Sequence, residues 1–135
     1  MYSLTSIWTI QRGKEKAAVA ALRRLAQQVE QNETGTLIYL VHVPDMTQPS
    51  LPTASNLEVV FFEVYKDKRS HKEHVNGPIF KSFVAEHKSL FLSVSPIDCG
   101  NGQSVTVPFH TVKFLQRKAG FIRPVMVEKK LTGGA

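Results

Sequence analysis

The run Leu57-Glu58-Val59-Val60-Phe61-Phe62-Glu63-Val64-Tyr65-Lys66 decides how this chain folds. Its β-branched and aromatic residues favour an extended strand, with a loop before it and Asp67 after it. Alternate residues of a strand face opposite ways, so Val59, Phe61, Glu63 and Tyr65 share one face and Val60, Phe62 and Val64 the other. Both faces are apolar up to Glu63. One can pack against helices; the other needs a second cover, and a partner subunit is the economical one. Glu63 itself needs a partner if it is buried, and His74 and Arg12 are the candidates.

Working outward, residues 44–56 carry Pro44, Pro49 and Pro52 among Asp, Thr, Ser and Asn, which reads as a loop. Thr36 to Val43 before it is a second β-former run, led in by Gly35. From Lys14 to Gln31 the period changes: Ala18, Leu22, Leu25 and Val29 recur at spacings of four, three and four, widened by Ala17 and Ala21. That is an amphipathic helix. Residues 2–11 alternate again, with Leu4, Ser6, Trp8 and Ile10 on one side, and Arg12-Gly13 ends the strand. Downstream, Asp67 suits the N-cap of a short helix from about Lys68 to Val75. Asn76-Gly77-Pro78 breaks it, and Pro78 opens another helix carrying Ile79, Phe80, Phe83, Val84, His87, Leu90 and Phe91. Leu92–Ile97 and Val105–Leu115 can each form a last strand, with a turn at Asn101-Gly102; the residues leave open which of them completes the sheet.

The order is therefore strand, helix, strand, strand, helix, strand. That is the α+β, ferredoxin-like βαββαβ arrangement, an antiparallel sheet with helices on one face. Residues 1–100 would hold the domain. Residues 101–135 form a C-terminal extension that could supply an extra strand exchanged with a partner subunit, frayed at Thr132-Gly133-Gly134-Ala135.

Composition narrows the class. At 135 residues and 42% hydrophobic content the chain can bury one core. Its longest apolar stretches, Leu37–Val43 and Val59–Val64, are too short to cross a bilayer. The first residues lack the basic and apolar regions of a signal peptide, so a cytoplasmic location is the expectation. Cys99 has no second cysteine to pair with, and nothing near it in sequence would activate it as a nucleophile. The net charge of +6 comes from scattered Lys and Arg rather than one element interleaved with aromatics, so no nucleic-acid partner is expected. His71 and His74 share a helix face but nothing brings His42, His87 or His110 to them, so no metal site is expected and His71 is placed on a solvated face. No Ser-His-Asp order, phosphate-cradling loop or HExxH is present.

Two local motifs then carry a resemblance. Asn32-Glu33-Thr34-Gly35-Thr36-Leu37-Ile38-Tyr39 resembles the E-x-G-x-x-x-Y lead-in to the second strand of antibiotic biosynthesis monooxygenase domains. Glu63-Val64-Tyr65-Lys66-Asp67, followed after six residues by His74, is similar to that family's E-x-[YW] strand end and the helix histidine after it. Arg12-Gly13-Lys14 matches the turn after its first strand, and the likeness spans roughly residues 4 to 92. It implies a dimeric α+β barrel, in which two sheets face each other and the helices lie outside. It also implies a pocket between sheet and helices, and one of several activities: cofactor-free oxygenation of phenols, quinols or polyketide anthrones, haem degradation, or isomerisation of small metabolites. The fold does not choose among them.

The resemblance implies a cofactor-independent monooxygenase, taking a small aromatic, quinol or polyketide-like molecule and dioxygen. His74 would be the base or orienting group, since a neutral imidazole can take a phenolic or enolic proton. Tyr65 would stand where similar enzymes place an aromatic facing the pocket, its hydroxyl orienting an oxygen. Ser6, Trp8, Phe61, Glu63, Phe80 and Val84 would line the substrate, and Tyr39 would serve the structure. In the haem-degrading relatives the iron-ligating histidine aligns near Val84, the catalytic asparagine near Ser6 and the pocket tryptophan at Tyr65, which disfavours haem chemistry, with His87 one turn later as the reservation. Two alternatives stay open: an isomerase of phosphorylated or hydroxylated metabolites that uses the basic residues to hold an anion, and a dimeric ligand-binding module with no catalysis.

Overall fold

The computed structural model describes residues 1–92, 97–98, 104–105 and 108–123. Cys99, the Asn101-Gly102 turn, the tail from residue 124 and much of the Leu92–Ile97 segment lie outside the described residues. The elements run β1 (Tyr2–Thr9), α1 (Glu15–Asn32), β2 (Thr36–His42), β3 (Glu58–Tyr65), α2 (Lys68–Asn76), α3 (Pro78–His87), a 3₁₀ turn (Lys88–Leu90), β4 (Ile97–Asp98), β5 (Ser104–Val105) and β6 (Phe109–Leu115). β2, β3, β1 and β6 form one sheet in that spatial order, and every pairing in it is antiparallel. β4 and β5 pair separately. This is the ferredoxin-like α+β fold, and the strand that completes it is Phe109–Leu115, the later of the two segments left open by the sequence.

Register decides what meets what. Across β2, β3, β1 and β6 runs the row Leu40, Phe62, Thr5, Lys113, and beside it the row His42, Val60, Ile7, Thr111. These residues face away from the helices, because Trp8, Val59 and Phe61, of opposite parity, join the helix-side core with Ala18, Leu22, Leu25, Val29, Phe83 and Phe91. The stripe read from α1 is the buried one, with Ala21 included; Ala17 is exposed. Trp8 sits at the centre of this core, its ring 4.6 Å from Phe61 and 5.1 Å from Phe91, the latter edge-on. Such offset and edge contacts add about 0.5–1.5 kcal/mol each beyond area burial.

The helix boundaries follow their caps. Asp67 Oδ1 accepts from the Ser70 amide at 2.8 Å and from Ser70 Oγ at 2.9 Å, starting α2 where the sequence places it. Gly77 separates α2 from α3, with Pro78 at the first position of α3. α2 lies over β2 and β3. It reaches the sheet at Gly35: a Cβ built there would stand 2.4 Å from Ser70 Oγ and 2.7 Å from Ser70 Cβ. The glycine is needed for this close approach, which sets His74, one turn beyond Ser70, against the mouth of β2.

Candidate active site

Two cavities flank His74. The first, of about 240 Å³, lies between the sheet and α2 and α3 and is lined by Leu4, Ser6, Trp8, Glu63, His71, His74, Val75, Phe80, Phe109, Val112 and Phe114. The second, about 290 Å³, opens on the other side and is lined by Asn32–Thr36, Ser70, Glu73, His74 and Gly77–Ile79. Its walls are more polar, whereas the first is an aromatic and aliphatic chamber with a few polar groups, the usual make-up of a small-molecule site. No Lys or Arg is among the described residues lining either one.

The structure brings Ser6, Trp8, Glu63, His74 and Phe80 of the expected set together on the first cavity. Strand parity puts Ser6, Trp8 and Glu63 on the helix side, and the Trp8 indole N–H donates to Ser6 Oγ at 3.2 Å, which fixes the ring. Phe61 is fully buried behind Trp8 and does not line the cavity. Val84 lies on α3 away from it. Tyr65 is also fully buried and off the lining. Its hydroxyl donates to Glu63 Oε2 at 2.6 Å and its ring packs against His71 and His74, so it meets the cavity through these three lining residues.

Glu63 therefore pairs with Tyr65, and neither His74 nor Arg12 is its hydrogen-bond partner. Burial pushes the Glu63 carboxyl above the usual carboxylate range, while the Tyr65 hydroxyl and the nearby His74 pull it back down. Tyr65 is held well above an ordinary phenol by burial, then by the Glu63 charge and the bond to it. Tyr39 is raised by burial and by Glu63 and Glu33. Its hydroxyl is the one buried side-chain polar atom among the described residues with no hydrogen-bond partner, so the structural role expected for Tyr39 leaves one polar group unpaid.

His74 is 2% exposed and takes a different acid from the one expected: its Nδ1 lies 2.7 Å from Glu33 Oε2, whose side chain is 17% exposed. Thr36 Oγ1 donates to the same oxygen at 3.2 Å. His74 is ringed by Tyr39, Tyr65 and Phe80 with centroids 5.2–5.6 Å away. His71 is not on a solvated face. It lines the first cavity, packed against Tyr2, Tyr65 and Phe114, and burial followed by the charge of His74 lowers its pKa. Sequence reasoning passed over Glu33 as a site residue although the motif that carries the resemblance contains it. It also passed over Phe109, Val112 and Phe114, which become visible only once β6 is known to pair with β1. Among the described residues, no three His, Cys, Asp or Glu side chains are grouped so as to hold a metal ion, and no helix there is long and apolar enough to cross a membrane.

Comparison with known proteins agrees with this architecture. The family model for antibiotic biosynthesis monooxygenase matches residues 1–86, from β1 through nearly all of α3. None of the curated proteins matches the sequence. Among solved structures, a Pseudomonas aeruginosa protein is similar at 19% identity with a TM-score of 0.61, covering 87% of this chain and 94% of its own. An antibiotic biosynthesis monooxygenase is similar at 14% identity and TM-score 0.62, with 88% of this chain and all (100%) of that one covered. A Chloroflexus aurantiacus protein assigned to the same class is similar at 17% identity and TM-score 0.60, over 89% and 95% of the two chains. At such identities the structures speak to the fold alone, whereas the sequence match spans well over half the chain. On that match, this protein belongs to the antibiotic biosynthesis monooxygenase family.

Proposed function

We propose that the protein is a cofactor-independent monooxygenase that oxidises a small, hydroxylated aromatic or quinol-like molecule with dioxygen, in the cavity lined by Trp8 and His74. The observation that carries this reading is the composition of that cavity. Trp8, Phe80, Phe109 and Phe114 offer flat apolar walls, and the polar groups set among them include the buried His74 and Glu63. A planar ring would be held by the walls. His74 would take a hydroxyl proton, and the electron-rich anion left behind would pass electrons to dioxygen directly. A bound ring that displaces water from the apolar walls would strengthen the electrostatic interactions inside.

The same lining counts against the isomerase of phosphorylated metabolites, since its described residues include no Lys or Arg of the kind a phosphate would need. Glu63 and His74 on the lining count against a purely apolar binding module. In this reading the sheet face bearing Ile7, Leu40, Val60 and Phe62 meets the same face of a second copy, making a homodimer. Of the described residues beyond β6, the exposed Phe121 and Ile122 would be available to contact that copy. Light scattering that finds a monomer at micromolar concentration would remove the dimer.

The decisive experiment is oxygen consumption with a panel of hydroquinones and anthrones. His74→Ala is expected to lose about 10²–10⁴ in kcat, the usual contribution of a positioned base. Turnover unchanged in that variant would take His74 out of the chemistry, and turnover persisting without dioxygen would replace oxygenation with isomerisation.

A further inference from the structure

We propose that Glu33 is the positioning residue of this site, its carboxylate holding His74 in the tautomer that carries hydrogen on Nδ1, so that Nε2 is the basic nitrogen offered to the substrate cavity. The inference rests on the reading of His74 as proton acceptor. Its grounds are geometric. Glu33 is the C-cap of α1, its amide tied to the Val29 carbonyl at 2.9 Å, so the side chain projects from a fixed backbone. Oε2 meets His74 Nδ1 at 2.7 Å and Thr36 Oγ1 at 3.2 Å, two contacts from two different elements. His74 lines both cavities, but Glu33 lines only the second, so the imidazole is a partition with Nδ1 on the Glu33 side.

An ionised carboxylate accepts and does not donate, so the proton of a neutral His74 is drawn to Nδ1 and the lone pair lies at Nε2 across the ring. In the proton step the substrate O–H bond breaks, its electron pair stays on oxygen, and an N–H bond forms at Nε2. His74 becomes an imidazolium whose Nδ1–H still points at Glu33, and the pair is electrically neutral overall. Once dioxygen has reacted, the same proton leaves Nε2 for the oxygen anion so formed, and His74 returns to its starting state. Without Glu33 the ring is free to carry its proton on Nε2, where no lone pair remains to serve as base.

The second cavity makes the idea testable in an unusual way. Glu33 borders a cleft of about 290 Å³ that reaches solvent, so removing its carboxyl leaves room for a small carboxylate from solution. The test uses the full chain with ¹⁵N-labelled imidazoles, the His74 signals assigned by their loss in His74→Gln. The wild type should show the Nδ1–H tautomer, and Glu33→Ala a mixture. With a turned-over hydroquinone, Glu33→Gln should lose about 10–100-fold in kcat with KM little changed, the usual cost of losing an outer-shell partner. Glu33→Ala should regain rate saturably with added formate, and Glu33→Gln should not. The inference is overturned if wild-type His74 carries its proton on Nε2, if Glu33→Ala keeps the wild-type tautomer and kcat, or if formate leaves a folded Glu33→Ala unchanged. A wild type that turns over no hydroquinone and no anthrone would sink the oxygenase reading, and the tautomer measurement would still decide the role of Glu33.

Discussion

Replacing Gly35 with alanine should misplace the whole acid–histidine pair from a position that touches neither member. The added Cβ would stand 2.7 Å from Ser70 Cβ and 2.4 Å from Ser70 Oγ. Rotating the hydroxyl away would also give up its 2.9 Å bond to Asp67, and it cannot move Ser70 Cβ, which is fixed by the α2 backbone. Carbon atoms rest about 3.5–4.0 Å apart, so α2 must retreat by roughly 1 Å. His74 rides on that helix one turn later. A shift of this size carries its 2.7 Å contact with Glu33 beyond the range of a hydrogen bond. Overpacking of this kind costs about 1–3 kcal/mol. For a chain of this size that lowers Tm by roughly 3–12 °C. The assay is a double-mutant cycle by thermal and urea unfolding, with Ser70→Gly as the second change. Ser70→Gly alone is destabilising, because it loses the Oγ bond to Asp67 and adds a helical glycine, yet it should recover most of the Gly35→Ala penalty when the two are combined. If Gly35→Ala melts with the wild type, or if the two penalties simply add, the close approach is not what glycine provides here.

Two other perturbations test the cavity. Tyr65→Phe removes the donor to buried Glu63 and should destabilise by about 1–3 kcal/mol. Because that bond holds the Glu63 pKa down, its loss raises the folded value further; folding then takes up more protons, and the deficit against wild type should be larger at pH 8 than at pH 5 in urea titrations. An equal deficit at both values would mean that the bond does not favour the charged carboxylate. His71 has its folded pKa lowered from 6.5, so the unfolded chain binds more protons just below that pH. Stability should therefore fall as pH drops through about 6.5 and level off below the folded pKa. His71→Gln should flatten this limb of a Tm-against-pH profile, and a profile with the same slope in both proteins would assign it to another group.

Much of this was legible in the sequence because it depends on short-range periodicity. Alternation in residues 57–66 assigned Val59, Phe61, Glu63 and Tyr65 to one face, and the three-and-four spacing of Ala18, Leu22, Leu25 and Val29 gave the buried stripe of α1. Asp67 and Pro78 marked the starts of α2 and α3 by backbone chemistry that needs no tertiary context. The partners of the acids were a different matter. Glu63 found Tyr65, two residues away on the same face, and His74 found Glu33, 41 residues away on another element. Nothing in a single periodic pattern reports such a distance; Gly35, which permits the approach, showed only as a residue between a helix and a strand. The cavity wall from β6 and the inward turn of His71 needed the sheet order, and two sequence segments competed for that place.

β6 also divides the labour of the chain. The proposed proton acceptor His74 and its positioning residue Glu33 lie wholly within the residues that match the family, 1–86. One wall of the chamber, through Phe109, Val112 and Phe114, comes from beyond them. In the proposed reading the Glu33–His74 pair would sit inside the family match, while the walls that hold the ring would be shared between that region, through Trp8 and Phe80, and β6. A substitution confined to the inward face of β6 is then expected to change which ring fits while leaving the 2.7 Å Glu33–His74 contact in place.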